Sequence, residues 1–249
     1  MEDGYAVPSS VFGLSSGFHM DELTRGFFQA IQLIFSADPA LYEIIFLSLR
    51  VTGLALLISA LIGIPTGATL GLSRIRARGL VTALLYTGMG LPPVVVGLFV
   101  YLMLSRSGPF GVLGWLFTPS AMIVAQLIIA FPLVAGLTMT AVQGVDPALR
   151  VQVRSLGATR WQEMWAVLRE ARLGVVAAIV AAFGGIISEV GAVMLVGGNI
   201  EGKTRVLTTA IVLNTRTGEF SLALALGIIL LALAFVANVA MMRLQGNDK

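Results

Sequence analysis

The sequence predicts an all-α, polytopic helical membrane protein with about five transmembrane helices, and two observations carry that prediction. Of its 249 residues 57% are hydrophobic and only 12% charged, with a mean hydropathy of +0.93. A water-soluble core cannot hide that much apolar surface. In addition, uninterrupted apolar runs of about 20 residues, the length that a bilayer core of about 30 Å demands of a helix, recur along the chain. The lack of cysteine excludes disulfides and thiolate metal sites.

Residues 1–40 read as an N-terminal tail. Its first twenty residues carry no Lys or Arg and no compact apolar centre, so they lack the build of a signal peptide, and Met20 is a second candidate start. His19, the single histidine, has no further ligands around it and is assigned no role. Behind Asp21, read as a cap, Leu23, Phe27, Ile31 and Ile34 fall at helical spacing. They predict a short amphipathic helix at the membrane surface, too polar to span.

Residues 41–249 form the transmembrane domain. Apolar runs broken at charged or Gly/Pro-rich punctuation give spans near 44–72, 81–104, 120–142, 173–196 and 222–242. Arg74, Arg76, Arg78, Arg150, Arg154, Arg160, Arg169, Arg172, Arg243 and Lys249 then fall on one side. Arg25, Arg106, Lys203, Arg205 and Arg216 fall on the other, and Arg50 lies within the first span. The excess of positive charge assigns the first side to the cytoplasm, with the N-terminus outside and the C-terminus inside.

The stretch Gly197 to Thr204, GGNIEGKT, satisfies the phosphate-loop pattern G-x-x-x-x-G-K-[ST]. Such a loop must leave a buried parallel strand and open a helix. Here it follows a membrane-length apolar run on the predicted outer side, so the match reads as an accident of sequence.

The loop 144–172 is more informative. Asp146 followed by Pro147 reads as an N-cap and first helical position, Gly157 as a helix stop, and Thr159 with Gln162 as a capping box opening a second helix through Trp161, Trp165 and Leu168. A connector needs only a few residues, whereas this one holds two capped helices with arginines and tryptophans. That pattern points to a docking surface for a cytoplasmic partner.

The glycine of this loop resembles the ATPase-coupling motif of ABC importer permeases, E-A-A, three residues, Gly, nine residues, Ile, one residue, Leu-Pro. Aligned on Gly157, Val167 falls at the isoleucine, while Val151-Gln152-Val153 and Arg169-Glu170 depart from the flanking elements. Two further stretches, Gly90 to Gly111 and Ile187 to Val212, extend the resemblance over nearly the whole chain from Tyr42. The likeness is to the oxyanion branch, tungstate permeases first, then molybdate, then sulfate. It implies a type I importer permease that works as a homodimer in the membrane lipid, fed by a substrate-binding protein and driven by a separate ABC ATPase subunit, with no nucleic acid partner. It also implies that this chain binds no cofactor, ATP and Mg being used by the partner. Arg154, Leu156, Gly157, Ala158, Thr159, Trp161, Gln162 and Trp165 would be the ATPase-coupling residues.

The candidate pathway and gate residues are Pro92, Pro93, Ser188, Glu189, Asn199, Lys203 and Arg205. Pro92 and Pro93 are expected to interrupt the second span and Pro132 the third, because proline removes a backbone donor and kinks a helix. Glu189 is an acid inside a span, which costs at least about 2.5 kcal/mol at a helix centre. In related oxyanion permeases the position four residues earlier often holds an arginine; here it is Gly185. Protonation, a solvent-facing position or a pair with Arg50 all remain open to Glu189, and repulsion between a carboxylate and an oxyanion favours a structural role. Gly184, Gly185, Gly191, Gly197 and Gly198 are expected to permit close packing, and Asn199 to Phe220 to form an outer re-entrant or interfacial helix. Two other classes compete. A secondary transporter or channel would require an internal binding site or inverted repeats, and five spans divide poorly into two equal halves, while an enzyme would require paired acids with a histidine, a metal cluster or a nucleophile, none of which the sequence offers.

Overall fold

A computed structural model describes residues 16–36, 39–73 and 78–245 of the chain. Residues 1–15, Arg74, Arg76 and Lys249 lie outside the described residues. Eleven α-helices follow one another among the described residues: α1 (Ser16–Phe35), α2 (Pro39–Leu72), α3 (Arg78–Met89), α4 (Pro93–Leu104), α5 (Pro119–Gln143), α6 (Pro147–Ser155), α7 (Arg160–Glu170), α8 (Arg172–Ile187), α9 (Gly191–Gly197), α10 (Leu207–Arg216) and α11 (Phe220–Gln245). No strand occurs among the described residues.

Among the described residues three helices, α2, α5 and α11, are long and apolar enough to cross a membrane alone, and two bent pairs raise the number to as many as five. One pair is α3 and α4, which meet at 99° across the Pro92–Pro93 step. The other is α7 and α8, which meet at 73°. Because α7 carries Arg160, Glu163, Arg169 and Glu170 and turns away at that bend, we take α8 and its continuation α9 as the span. At about 24 Å, 16 residues of α8 alone fall short of the bilayer core.

α5 is the centre. Its most apolar 18-residue window is 61% buried, against 28% for α2 and 22% for α11. The main core gathers Val51 and Ala55 of α2, Val96 and Val100 of α4, Met122, Ala125 and Ile129 of α5, Ala182 and Ile186 of α8, and Val193 and Val196 of α9. Against α5, α2 presents Gly63, Gly67 and Gly71 at four-residue intervals, and a Cβ at Gly67 would strike the Ala135 carbonyl oxygen. Small residues let the two backbones touch, the arrangement by which helices associate in lipid.

Two expectations are corrected. Pro132 does not interrupt the third span: α5 is one helix from Pro119 to Gln143. A neighbour covers the disturbed turn, since a Cβ at Gly88 of α3 would meet the Pro132 ring at 2.8 Å. Asp21 is not a cap either, because α1 starts five residues earlier at Ser16. Phe27, Ile31 and Ile34 stay exposed, and α1 packs on α11 through other residues, Gly26 against Leu224 among them. Lipid rather than protein is the natural neighbour of such a stripe.

Candidate functional site: a capped elbow and two broken spans

The elbow formed by α6 and α7 is built by local capping. Asp146 accepts the Ala148 N–H at 2.8 Å, opening α6 behind Pro147. At its end the Gly157 N–H donates to the Arg154 carbonyl and the Ala158 N–H to the Val153 carbonyl, with Gly157 at φ +83°. This double closure needs a left-handed residue, which glycine supplies without a Cβ penalty. The expected capping box is present: Thr159 N–H donates to Gln162 Oε1 at 2.8 Å, and Gln162 N–H to Thr159 Oγ1 at 3.4 Å.

α7 is two-faced. Met164, Val167 and Ala171 sink into a small core with Ala68 of α2 and Val142 of α5, while Trp161 and Trp165 stand 67% and 68% exposed. Leu156 at the elbow tip is 87% exposed. Arg154, Gly157, Thr159 and Gln162 are exposed as well, and Ala158 is half-buried. The elbow therefore anchors on the ends of α2 and α5 and offers outward a patch of two indoles and two aliphatic chains, Leu156 and Val151. A patch of this kind fits a partner surface.

Glu163 and Arg150 were not among the sequence candidates. The Glu163 side chain is only 5% exposed, and its two carboxylate oxygens accept from Arg150 Nε at 2.8 Å and Arg154 Nε at 2.7 Å. Burial by itself would raise its pKa, but the hydrogen bonds from Arg154 and Arg150 and their positive charges outweigh it and hold the carboxyl below the ordinary 4.5. Arg150 also donates through Nη2 to the Leu72 carbonyl at the end of α2, 3.1 Å away. Arginines four apart in α6 hinted at a shared partner, but nothing local singled out Glu163.

The two broken spans meet each other. A Cβ at Gly97 of α4 would lie 2.6 Å from Cα of Ala192 in α9, and one at Gly191 would meet Val94 at 2.7 Å. The Pro92–Pro93 step and the Ser188–Val190 break are thus neighbours. At the second break Glu189 accepts the Ala192 N–H at 2.9 Å and its carbonyl accepts from Thr208 of α10. Arg50 is exposed and forms no ion pair with Glu189. Ser188 donates back to the Gly184 carbonyl. Gln126 of α5, another residue that sequence reasoning missed, donates to the Ile186 carbonyl at 3.0 Å from a buried position. The same carbonyl accepts the Glu189 N–H at 3.3 Å, so Gln126 adds a side-chain donor from α5 to the backbone bond at the break. Gly191 and Gly197 do pack closely, whereas nothing approaches Gly184 and only Leu133, at an ordinary 3.5 Å, faces Gly185.

Asn199, Lys203 and Arg205 gather in the turn after α9. Thr204, fully buried, donates to the Gly197 carbonyl at 2.6 Å and accepts the Ile200 N–H, while the N–H groups of Lys203, Thr204 and Arg205 all donate to the Ile200 carbonyl. A phosphate loop must offer those N–H groups to its ligand; here they close the turn. Arg205 pairs with Glu201 at 3.2 Å, and Lys203 is exposed. Beyond it α10 begins buried at Leu207 to Ala210, with the Leu207 N–H donating to Ser48 of α2.

Residues 60–246 match the family described as binding-protein-dependent transport system inner membrane component. A tungstate uptake system permease protein of Peptoclostridium acidaminophilum is 41% identical over 226 residues, 91% of this chain and 99% of that protein. A molybdenum transport system permease protein of Escherichia coli (strain K12) is 32% identical over 210 residues, 80% of this chain and 91% of that one. Among solved structures, a bacterial ABC transporter involved in the import of the acidic polysaccharide alginate superposes with a TM-score of 0.73 at 21% identity, covering 96% of this chain and 93% of that one. By this match over most of its length, and by an all-α fold shared with such a transporter, the chain belongs to the inner-membrane components of binding-protein-dependent transport systems.

Proposed function

We propose that this chain is the membrane-spanning subunit of an ATP-driven importer of tungstate. The observation that carries the reading is the 41% identity to a tungstate uptake permease along 99% of that relative's length. Molybdate is the second reading, on 32% identity to a molybdenum transport permease. Hydrolysis of ATP belongs to a separate cytoplasmic subunit seated on Leu156, Trp161 and Trp165, and this chain binds neither ATP nor magnesium. A substrate-binding protein delivers the anion on the outer side, where the exposed Lys203 favours an anion or an acidic partner surface. Rigid-body movement around a shared pathway calls for a second copy related by a twofold axis. The positive charge of the α6–α7 elbow supports a cytoplasmic placement for it, with the N-terminus outside.

The test is reconstitution of the complex in lipid with its ATPase and binding protein. Tungstate should raise ATP hydrolysis at lower concentration than molybdate or sulfate. Changing Trp161→Asp should release the ATPase during purification. Hydrolysis stimulated best by sulfate, or uptake that continues without any ATPase, would overturn the reading.

A further inference from the structure

Glu163 is a charged group without a place in the function proposed so far. It sits nearly buried between two arginines, on the inner side of an elbow whose outer side meets the ATPase. Only the carboxylate has left water, Arg150 and Arg154 keeping 31% and 59% of their side chains exposed, and a charge buried in this way is satisfied in one arrangement of its partners alone. Here the geometry is specific. Both carboxylate oxygens are occupied, one by each arginine of α6. Arg150 then reaches past the carboxylate to the carbonyl of Leu72, the last residue of α2. That oxygen has no partner within its own helix. One guanidinium therefore joins three helices, α6 by its own backbone, α7 through Glu163 and α2 through Leu72. Arg154 shares the carboxylate but forms no bond to α2, and it remains 59% exposed.

We infer that Glu163 and Arg150 are positioning residues that carry movement of the ATPase-docked elbow into α2. This rests on the proposed transport function and adds to it the point at which the elbow grips a span. A push on Trp161 and Trp165 moves α7 as a rigid rod, Glu163 transfers it to Arg150, and Arg150 transfers it to the end of α2. Beyond that end lies the Gly63–Gly67–Gly71 seam with α5. Lysine in place of Arg150 keeps a positive charge beside Glu163 but lacks the planar fork that holds carboxylate and carbonyl together.

The experiment measures ATP hydrolysis by the lipid-reconstituted complex with and without tungstate-loaded binding protein, together with tungstate taken up per ATP. Arg150→Lys and Glu163→Gln should assemble with the ATPase at wild-type yield yet lower the stimulation about threefold to thirtyfold, with fewer anions moved per ATP. Arg169→Lys, a charge-conserving change on the exposed face of α7, should stay within about twofold of wild type. Wild-type stimulation in Arg150→Lys, or an equal loss in Arg169→Lys, overturns the inference while leaving the transport function intact. Should Glu163→Gln fail to assemble, the contrast between the two arginine variants decides alone. A wild-type complex that no oxyanion stimulates overturns the transport function itself, and this inference with it.

Discussion

A carboxylate that is hidden from water yet stays ionised depends on its partners, and Glu163 depends on Arg154 and Arg150. Its pKa is depressed below 4.5 in the folded chain. A depressed carboxyl contributes stability that is fully present above the unfolded value and is lost as the pH falls through the lower folded value. Fluorescence of Trp161 and Trp165 should therefore hold steady from pH 7 down to about 4.5 and change only below it. In Glu163→Gln that acid transition should vanish, and a transition persisting in that variant would assign it to another group. Gly157 makes a second residue-scale prediction. Its φ of +83° is open to glycine, and Gly157→Val should cost at least about 1–2 kcal/mol. The measurable result is weaker co-purification of the ATPase, with the membrane domain still folded.

Among the helices, the breaks and the seams divide the work. Gly67 stands against the Ala135 backbone, and Gly97 against Ala192. Gly67→Leu should abolish monodisperse protein in detergent, because the two central helices would be forced apart. At Gly53, where nothing lies within 4 Å, Gly53→Ala should leave the melting temperature unchanged or slightly raised. These elements also show how far the residues could be read in advance. The spans were legible because lipid imposes length and apolarity directly. Caps at Asp146 and Thr159 were legible because each bond closes within three residues. Proline marked the break at Pro92–Pro93 correctly but misled at Pro132, where a neighbouring glycine let α3 cover the kink site. The break at Ser188–Val190 carries no proline, and the donor that serves it, Gln126, lies 60 residues away in sequence. Likewise the Arg150–Glu163 bond depends on the angle set by the turn at Gly157, which no spacing rule supplies.

For the molecule as a whole, the native chain contains no cysteine, so single replacements can report its orientation directly. Lys203→Cys should react with a membrane-impermeant maleimide added to intact cells, and Trp165→Cys only after the membrane is opened. Labelling of both from outside would place the elbow on the wrong face and remove the ATPase from the mechanism. Gly63, Gly67 and Gly71 bring α2 against α5 along one seam. Gly67 lies on the α5 backbone while Gly63 and Gly71 lie against the Val134 and Val142 side chains, a fit so close that the contact has a single setting. The two helices therefore travel together as one rigid mast, so that a push arriving at Leu72 moves both, and the bending in an import cycle falls to the hinged booms at Pro92–Pro93 and Ser188–Val190.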